Sequence, residues 1–422
     1  MNAPSRILNA RLPRWQLPAD WPMRAGEPAL AALQLADGRV SAVQPVQGPI
    51  QPADDDWDLS GAPVLPGLVD AHTHLDKTFT LPRIGRVQPG LLGAIDAMMT
   101  DRMGWTPADV HARAGRALAW AHEAGCVHVR THVDWWEPQG TPVAWHVLAA
   151  LAGEWRDRLL LEQVSLIKLT LFSDLDQARR LAAQVASAGP QALLGAFVHS
   201  TNWDPQALRN LFCAAAERGL DVDLHVDEEL NPQARGLAAT AAIVRETGFS
   251  GRVVCGHTCS LAAQPEAVAL ATLDAVAGLP ITLVSLPITN LLLQDATTGR
   301  TPRQRGLTLL KEARERGIPL LVASDNVQDP FCRVGSYDPV EALAAGALAG
   351  QLDQLFDTWS ESLCRGDWLL RKPRPTPSLV GAPADLVIFT ATDAWGWPSR
   401  AARRVVLRAG VALTPVPERS FA

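Results

Sequence analysis

Between residues 63 and 369 short apolar runs alternate with longer amphipathic stretches, and this alternation constrains the fold more than any other feature. Eight runs read as strands: APVLPGLVDAH, CVHVRTHVD, LLLEQVSLIKLTLF, ALLGAFVHS, LDVDLHVDE, RVVCGHT, PITLVSLP and IPLLVASDN. The stretches between them include PADVHARAGRALAWAHEAG, DLDQARRLAAQVASAG, DPQALRNLFCAAAERG, ARGLAATAAIVRETG and GLTLLKEARERG. Their apolar residues recur at three- and four-residue spacing and each ends in Gly, a helix stop. Eight strand–helix alternations over about 300 residues predict an α/β fold, a closed (β/α)₈ barrel of the TIM type. The alternative, an open doubly wound sheet, normally carries a glycine-rich phosphate loop after its first strand, and GLVDAHTHLD is not one.

The two ends have a different texture. Residues 1–62 hold short β-like pieces such as SRILNARLP and ALAALQLADGRVSAVQ, and 370–422 return to it in PADLVIFTA and RRVVLRAGVAL. A small β-sandwich assembled from both termini beside a barrel of residues 63–369 is the expected organisation.

Of the 422 residues 47% are hydrophobic and 19% charged, ample material for a core, and the formal net charge is −6. That balance gives no electrostatic reason to expect nucleic acid or an acidic membrane as partner. No run of about 18 apolar residues suggests a membrane span, and the N-terminus lacks a secretory signal pattern. The six cysteines have no framework spacing, so reduced thiols in a cytoplasmic protein are expected. The sequence leaves a homo-oligomer open.

In such a barrel the C-terminal strand ends converge on one face. The ends supply His72 and His74, His132 and Asp134, Lys168, His199, His225 with Glu228, His257, and Asp325. Residues i and i+2 of a strand point to the same side, so His72 and His74 can bind one metal, a spacing wrong for two ligands on a helix face. His72, His74, His225, His257 and Asp325 form a plausible ligand set, and imidazole with carboxylate suits Zn²⁺ or Fe²⁺. An open metal position yields a hydroxide nucleophile near neutral pH. Glu228, three residues past His225, is the candidate for protonating a substrate ring nitrogen, and Asp325 for taking the proton of the attacking water.

HTHLDK, HVRTHVD, HVDEE, GHT and ASDN, in that order, resemble the amidohydrolase superfamily. Within it the likeness is to the cytosine deaminase branch, which includes hydrolases of amino- and alkylamino-triazines such as N-isopropylammelide amidohydrolases. The resemblance covers essentially the whole chain. It implies that one divalent metal sits on His72, His74, His225, His257 and Asp325, with Glu228 as acid/base shuttle. It also implies that His257 contacts either the metal or the attacking water. The implied reaction is hydrolytic deamination of a small nitrogen heterocycle, a cytosine-like pyrimidine, a triazine or a related cyclic amidine.

Two positions depart from the cytosine deaminase pattern. Lys168 stands where those enzymes carry a glutamine that reads the pyrimidine edge, and Asn326 stands where they carry a second aspartate. A cation in place of an amide implies a carbonyl-rich or anionic substrate. In other amidohydrolases a mid-barrel lysine is carboxylated and bridges two metals, the second reading of Lys168. Trp135 and Trp136 offer faces for a flat ring, Phe331 a pocket wall, His132 and His199 pocket shape, and Asn290 and Gln294 the entrance. Lys77 and Arg83 read more simply as surface cations, and His111, His122, His128 and His146 as packing or surface residues. The competing functions are ring-opening hydrolysis of a cyclic amide or amidine, and a catalytically inactive binding member of the fold.

Overall fold

The computed structural model describes residues 3–137, 139–371 and 378–414. Its centre is one parallel sheet whose strands follow each other in chain order. They are β1 (Leu68–Thr73), β2 (Cys126–Trp135), β3 (Leu160–Lys168), β4 (Ala192–Val198), β5 (Val222–Val226), β6 (Val253–His257), β7 (Ile281–Ser285) and β8 (Leu320–Val322). These strands are rich in Val, Leu and Ile and are buried along most of their length, as parallel strands covered by helices must be. Helices Pro107–Ala124, Val143–Trp155, Leu175–Ala186, Pro205–Arg218, Gly236–Thr247, Glu266–Val276 and Pro339–Gly350 form the outer layer. Thr106, Asp174, Asp204 and Asp338 accept backbone N–H bonds at helix N-termini. The expected stops Gly125, Gly219 and Gly248 have positive φ.

The sheet closes where β8 runs out. Thr73 bridges Asp325 in parallel register, the Asp325 amide donates to His72 O at 2.9 Å, and the Ser324 amide donates to the buried Asp70 carboxylate at 2.9 Å. Closure therefore delivers Asp325 beside the HTH segment. At the opposite mouth the turn Gly366–Leu369 caps the barrel. Trp368 O accepts from Arg252 and Thr282 at the starts of β6 and β7.

Two small sheets come from the chain ends. One orders Arg39–Pro45, Ala31–Ala36, Arg6–Ala10 and Asp56–Asp58; the other orders Val411–Ala412, Arg404–Arg408, Leu386–Phe389 and Val64–Pro66. Ile7, Leu33, Val64, Leu386 and Leu407 share one apolar core between them. Val64–Pro66, read from sequence as the start of the barrel, pairs antiparallel with Leu386–Phe389, so it belongs to the second small sheet. Among the described residues no helix is long and apolar enough to cross a membrane.

Candidate metal centre and active site

Three imidazoles and a carboxylate meet at the closed end of the barrel mouth. His225 Nε2 lies 3.2 Å from His72 Nε2 and 3.1 Å from His74 Nε2. Asp325 Oδ1 is 3.2 Å from His74 Nε2 and 3.6 Å from His72 Nε2. All four residues are buried. Packing sets the ring orientations, since the Nδ1 atoms of His72, His74 and His225 have no hydrogen-bond partner among the described residues. Gly256 permits this: a Cβ there would stand 2.9 Å from the His72 ring.

Burial first, and then neighbouring imidazoles and Lys77, hold His72, His74 and His225 well below the ordinary histidine range. They are neutral, the state a metal ligand needs. Burial and the Asp329 charge push Asp325 up, a cost that a cation in the cage would reverse. Converging neutral nitrogens beside a buried carboxylate fit one divalent ion, and the donor set suits borderline metals.

His257 stands at the rim in a left-handed conformation, φ 70°, followed by Thr258 at φ 47°. Strain of this kind on non-glycine residues concentrates at functional sites. Asn290 Nδ2 lies 3.0 Å from His257 Nδ1, and His257 Nε2 has no partner among the described residues. Glu228 Oε1 lies 3.4 Å from His257 Nδ1. Burial, then the Asp325 charge, raises Glu228 well above the usual carboxylate range.

These groups open into a tight, partly enclosed pocket of about 30 Å³. Its walls include Trp136, Phe197 and Phe331 with Leu166, Asn326, Lys77 and Asp134. Helix Leu91–Asp101 roofs it with Leu91, Ile95 and Met98, one face at i, i+4, i+7. Lys77 is buried and donates to Asp134 Oδ1 at 2.7 Å. Although burial alone would lower its pKa, Asp134 and Asp76 raise it, so the ammonium stays charged.

The structure thus brings His72, His74, His225, His257, Asp325, Glu228, Asn326 and Phe331 to one place. It places three expected substrate contacts elsewhere. Trp135 is fully buried against Trp145, with ring centroids 5.3 Å apart. Strand alternation sends Val133 and Trp135 outward to the helices and Asp134 and Trp136 toward the mouth. Lys168 is solvent-exposed and is absent from the cavity lining; the inward position on β3 is Leu166. His132 lies beneath the cage, its ring centroid 3.8 Å from that of His72 and its Nε2 3.2 Å from Asp223, out of reach of the cavity. His199 stacks on Phe197 at 5.3 Å and faces Glu229 at 3.7 Å. Lys77, read as a surface cation, is instead a wall of the site. Parity from His72 and His74 would not have found it, because it lies in the loop beyond the strand.

Comparison with known proteins agrees with this geometry. The amidohydrolase family matches residues 91–405. The chain is 40% identical over 385 residues to a pterin deaminase of Rhizobium rhizogenes, covering 90% of this chain and 87% of that one. It is similar to the crystal structure of a 5-methylcytosine deaminase from Klebsiella pneumoniae, with TM-score 0.79, 25% identity and 98% of both chains covered. An N-isopropylammelide isopropylaminohydrolase from Burkholderia multivorans shares the fold, with TM-score 0.71, 22% identity and 98% of both chains covered. A barrel that closes on its own histidine–aspartate cage, matched in sequence along most of its length, leaves one assignment: the chain is a hydrolase belonging to the amidohydrolase family.

Proposed function

We propose that this protein hydrolytically deaminates a flat amino-substituted nitrogen heterocycle, of the pterin class in preference to cytosine or an aminotriazine, leaving an oxo ring and ammonia. The observation that carries the reading is Glu228, buried 3.4 Å from His257 Nδ1 and facing a pocket walled by three aromatic rings. The 40% identity to a pterin deaminase supports the fused ring.

One divalent ion, zinc or iron, held by His72, His74, His225 and Asp325, would supply a water acidified into a nucleophile. Trp136, Phe197 and Phe331 hold the ring flat. Glu228 delivers its proton to the ring nitrogen next to the carbon under attack, which makes that carbon more electrophilic. Asp325 takes the proton released as water adds and passes it to the departing amine, while Glu228 regains a proton from the new hydroxyl as the carbonyl forms. His257, held against Asn290, steadies the incoming oxygen. The six free cysteines support a reducing, cytoplasmic setting.

The test is ammonia release, with mass spectrometry of the product, from metal-loaded enzyme offered a pterin, cytosine and an aminotriazine. One ammonia per ring and an intact oxo ring, fastest for the pterin, are expected. A ring-opened product, or no turnover on any ring, overturns the reading.

A further inference from the structure

We propose that Lys77 and Asp134 act as one orienting pair that reads a cyclic amide edge, an adjacent C=O and N–H, on the substrate. The inference rests on the deaminase reading and names the chemistry of the ring that reading leaves open. Both residues are 2% exposed, and both line the cavity. An ammonium has three protons to donate, and among the described residues Lys77 has one hydrogen-bond acceptor, Asp134 Oδ1 at 2.7 Å. Asp134 Oδ2 is buried with no partner among the described residues.

The pair therefore presents a spare donor next to a spare acceptor. An unmet buried carboxylate oxygen is costly and is satisfied when a ligand N–H meets it. A carbonyl oxygen on Lys77 and the neighbouring ring N–H on Asp134 Oδ2 complete both groups at once. Position is held from behind: the Asp134 amide donates to Asp76 Oδ2 at 2.9 Å. The Lys77 ammonium also lies 4.8 Å from the centre of the Phe331 ring, which keeps the cation at the wall against which the flat ring stacks. A ring with an amino group and no oxo group would leave the ammonium unmet. A ring methylated on the amide nitrogen would set a methyl group against a carboxylate.

The experiment compares kcat/KM of the wild-type enzyme on an amino-oxo ring, its des-oxo analogue and its amide-N-methyl analogue, then repeats the set with Lys77→Met and Asp134→Asn. Sites built to hydrogen-bond a polar edge reject analogues lacking it strongly, so the wild type should favour the amino-oxo ring by at least about 100-fold. Lys77→Met should collapse the preference over the des-oxo ring to within about tenfold, mainly through KM, and Asp134→Asn should relax the bar against N-methylation. The wild-type comparison needs no variant to fold: equal rates on all three rings overturn the inference while leaving the deaminase reading intact. A preference that survives in a folded Lys77→Met variant also overturns it. Absence of ammonia from every ring overturns the deaminase reading and the inference with it.

Discussion

The barrel interior holds two buried charged clusters, one above the other, and they are built on opposite plans. In the lower one Arg130 donates to Glu162 at 2.9 Å and to Asp223 at 2.9 Å, and His128 meets Glu162 at 2.7 Å. A guanidinium stands between two carboxylates. Burial alone would raise Glu162, but Arg130 and then His128 outweigh it and bring its pKa down to about 2. In the upper cluster His72, His74, His225 and Asp325 have no guanidinium or ammonium among them, and burial pushes Asp325 and Glu228 upward. His132 joins the two levels, meeting Asp223 at 3.2 Å and packed at a tilt against His72, ring centroids 3.8 Å apart. The lower cluster carries its own counter-charge and serves structure. The upper one, neutral imidazoles around a buried carboxylate, has a donor set that fits a divalent cation.

The sharpest way to break that contrast is through the upper cluster's proton. Glu228→Gln preserves shape but removes the transferable proton. It should lower kcat about 10²- to 10⁴-fold with metal content unchanged, measured by steady-state kinetics with elemental analysis. Next comes the lower cluster. Arg130→Met strands two buried carboxylates and should cost about 3–5 kcal/mol in denaturant unfolding, with metal stoichiometry retained in the folded fraction. The same cluster has a pH signature. Glu162 is depressed from 4.5 to about 2 on folding, so its contribution is fully present at neutral pH and is lost as pH falls through 4.5 toward 2. A flat stability profile over that window would deny the lower cluster its role.

Smaller effects separate wall from packing. Trp136→Ala should weaken substrate by about 1–3 kcal/mol, seen in KM, if it stacks on the ring. Lys168→Ala should leave both kcat/KM and stability within about 0.5 kcal/mol of wild type, as for an ordinary surface residue. A larger loss would return Lys168 to the site.

Much of this architecture was legible in the sequence because it is written in periodicity. All eight strands, and the helices ending at Gly125, Gly219 and Gly248, follow from alternation and stop signals. The cage was legible because strand ends converge and i, i+2 spacing aims His72 and His74 together. Strand parity separates the two neighbouring tryptophans. Counting from Asp134 puts Trp136 on the mouth side and Trp135 in the helix layer. Periodicity stops being informative where the chain leaves regular structure: β3 ends at Lys168 and a short 3₁₀ turn follows. The cation expected there is found instead on the loop after β1, as Lys77. The roof of Leu91, Ile95 and Met98 was not foreseen, since a helix laid over a cavity has the same apolar stripe as one laid on a core.

The central claim is that the upper cluster is a metal cage and the lower one is not. Elemental analysis of the purified protein, wild type beside His225→Ala, tests it directly. The account predicts one divalent ion per wild-type chain and a near-complete loss in a folded His225→Ala variant. A wild-type enzyme that is active without metal, or a His225→Ala variant that keeps its full equivalent, would contradict it.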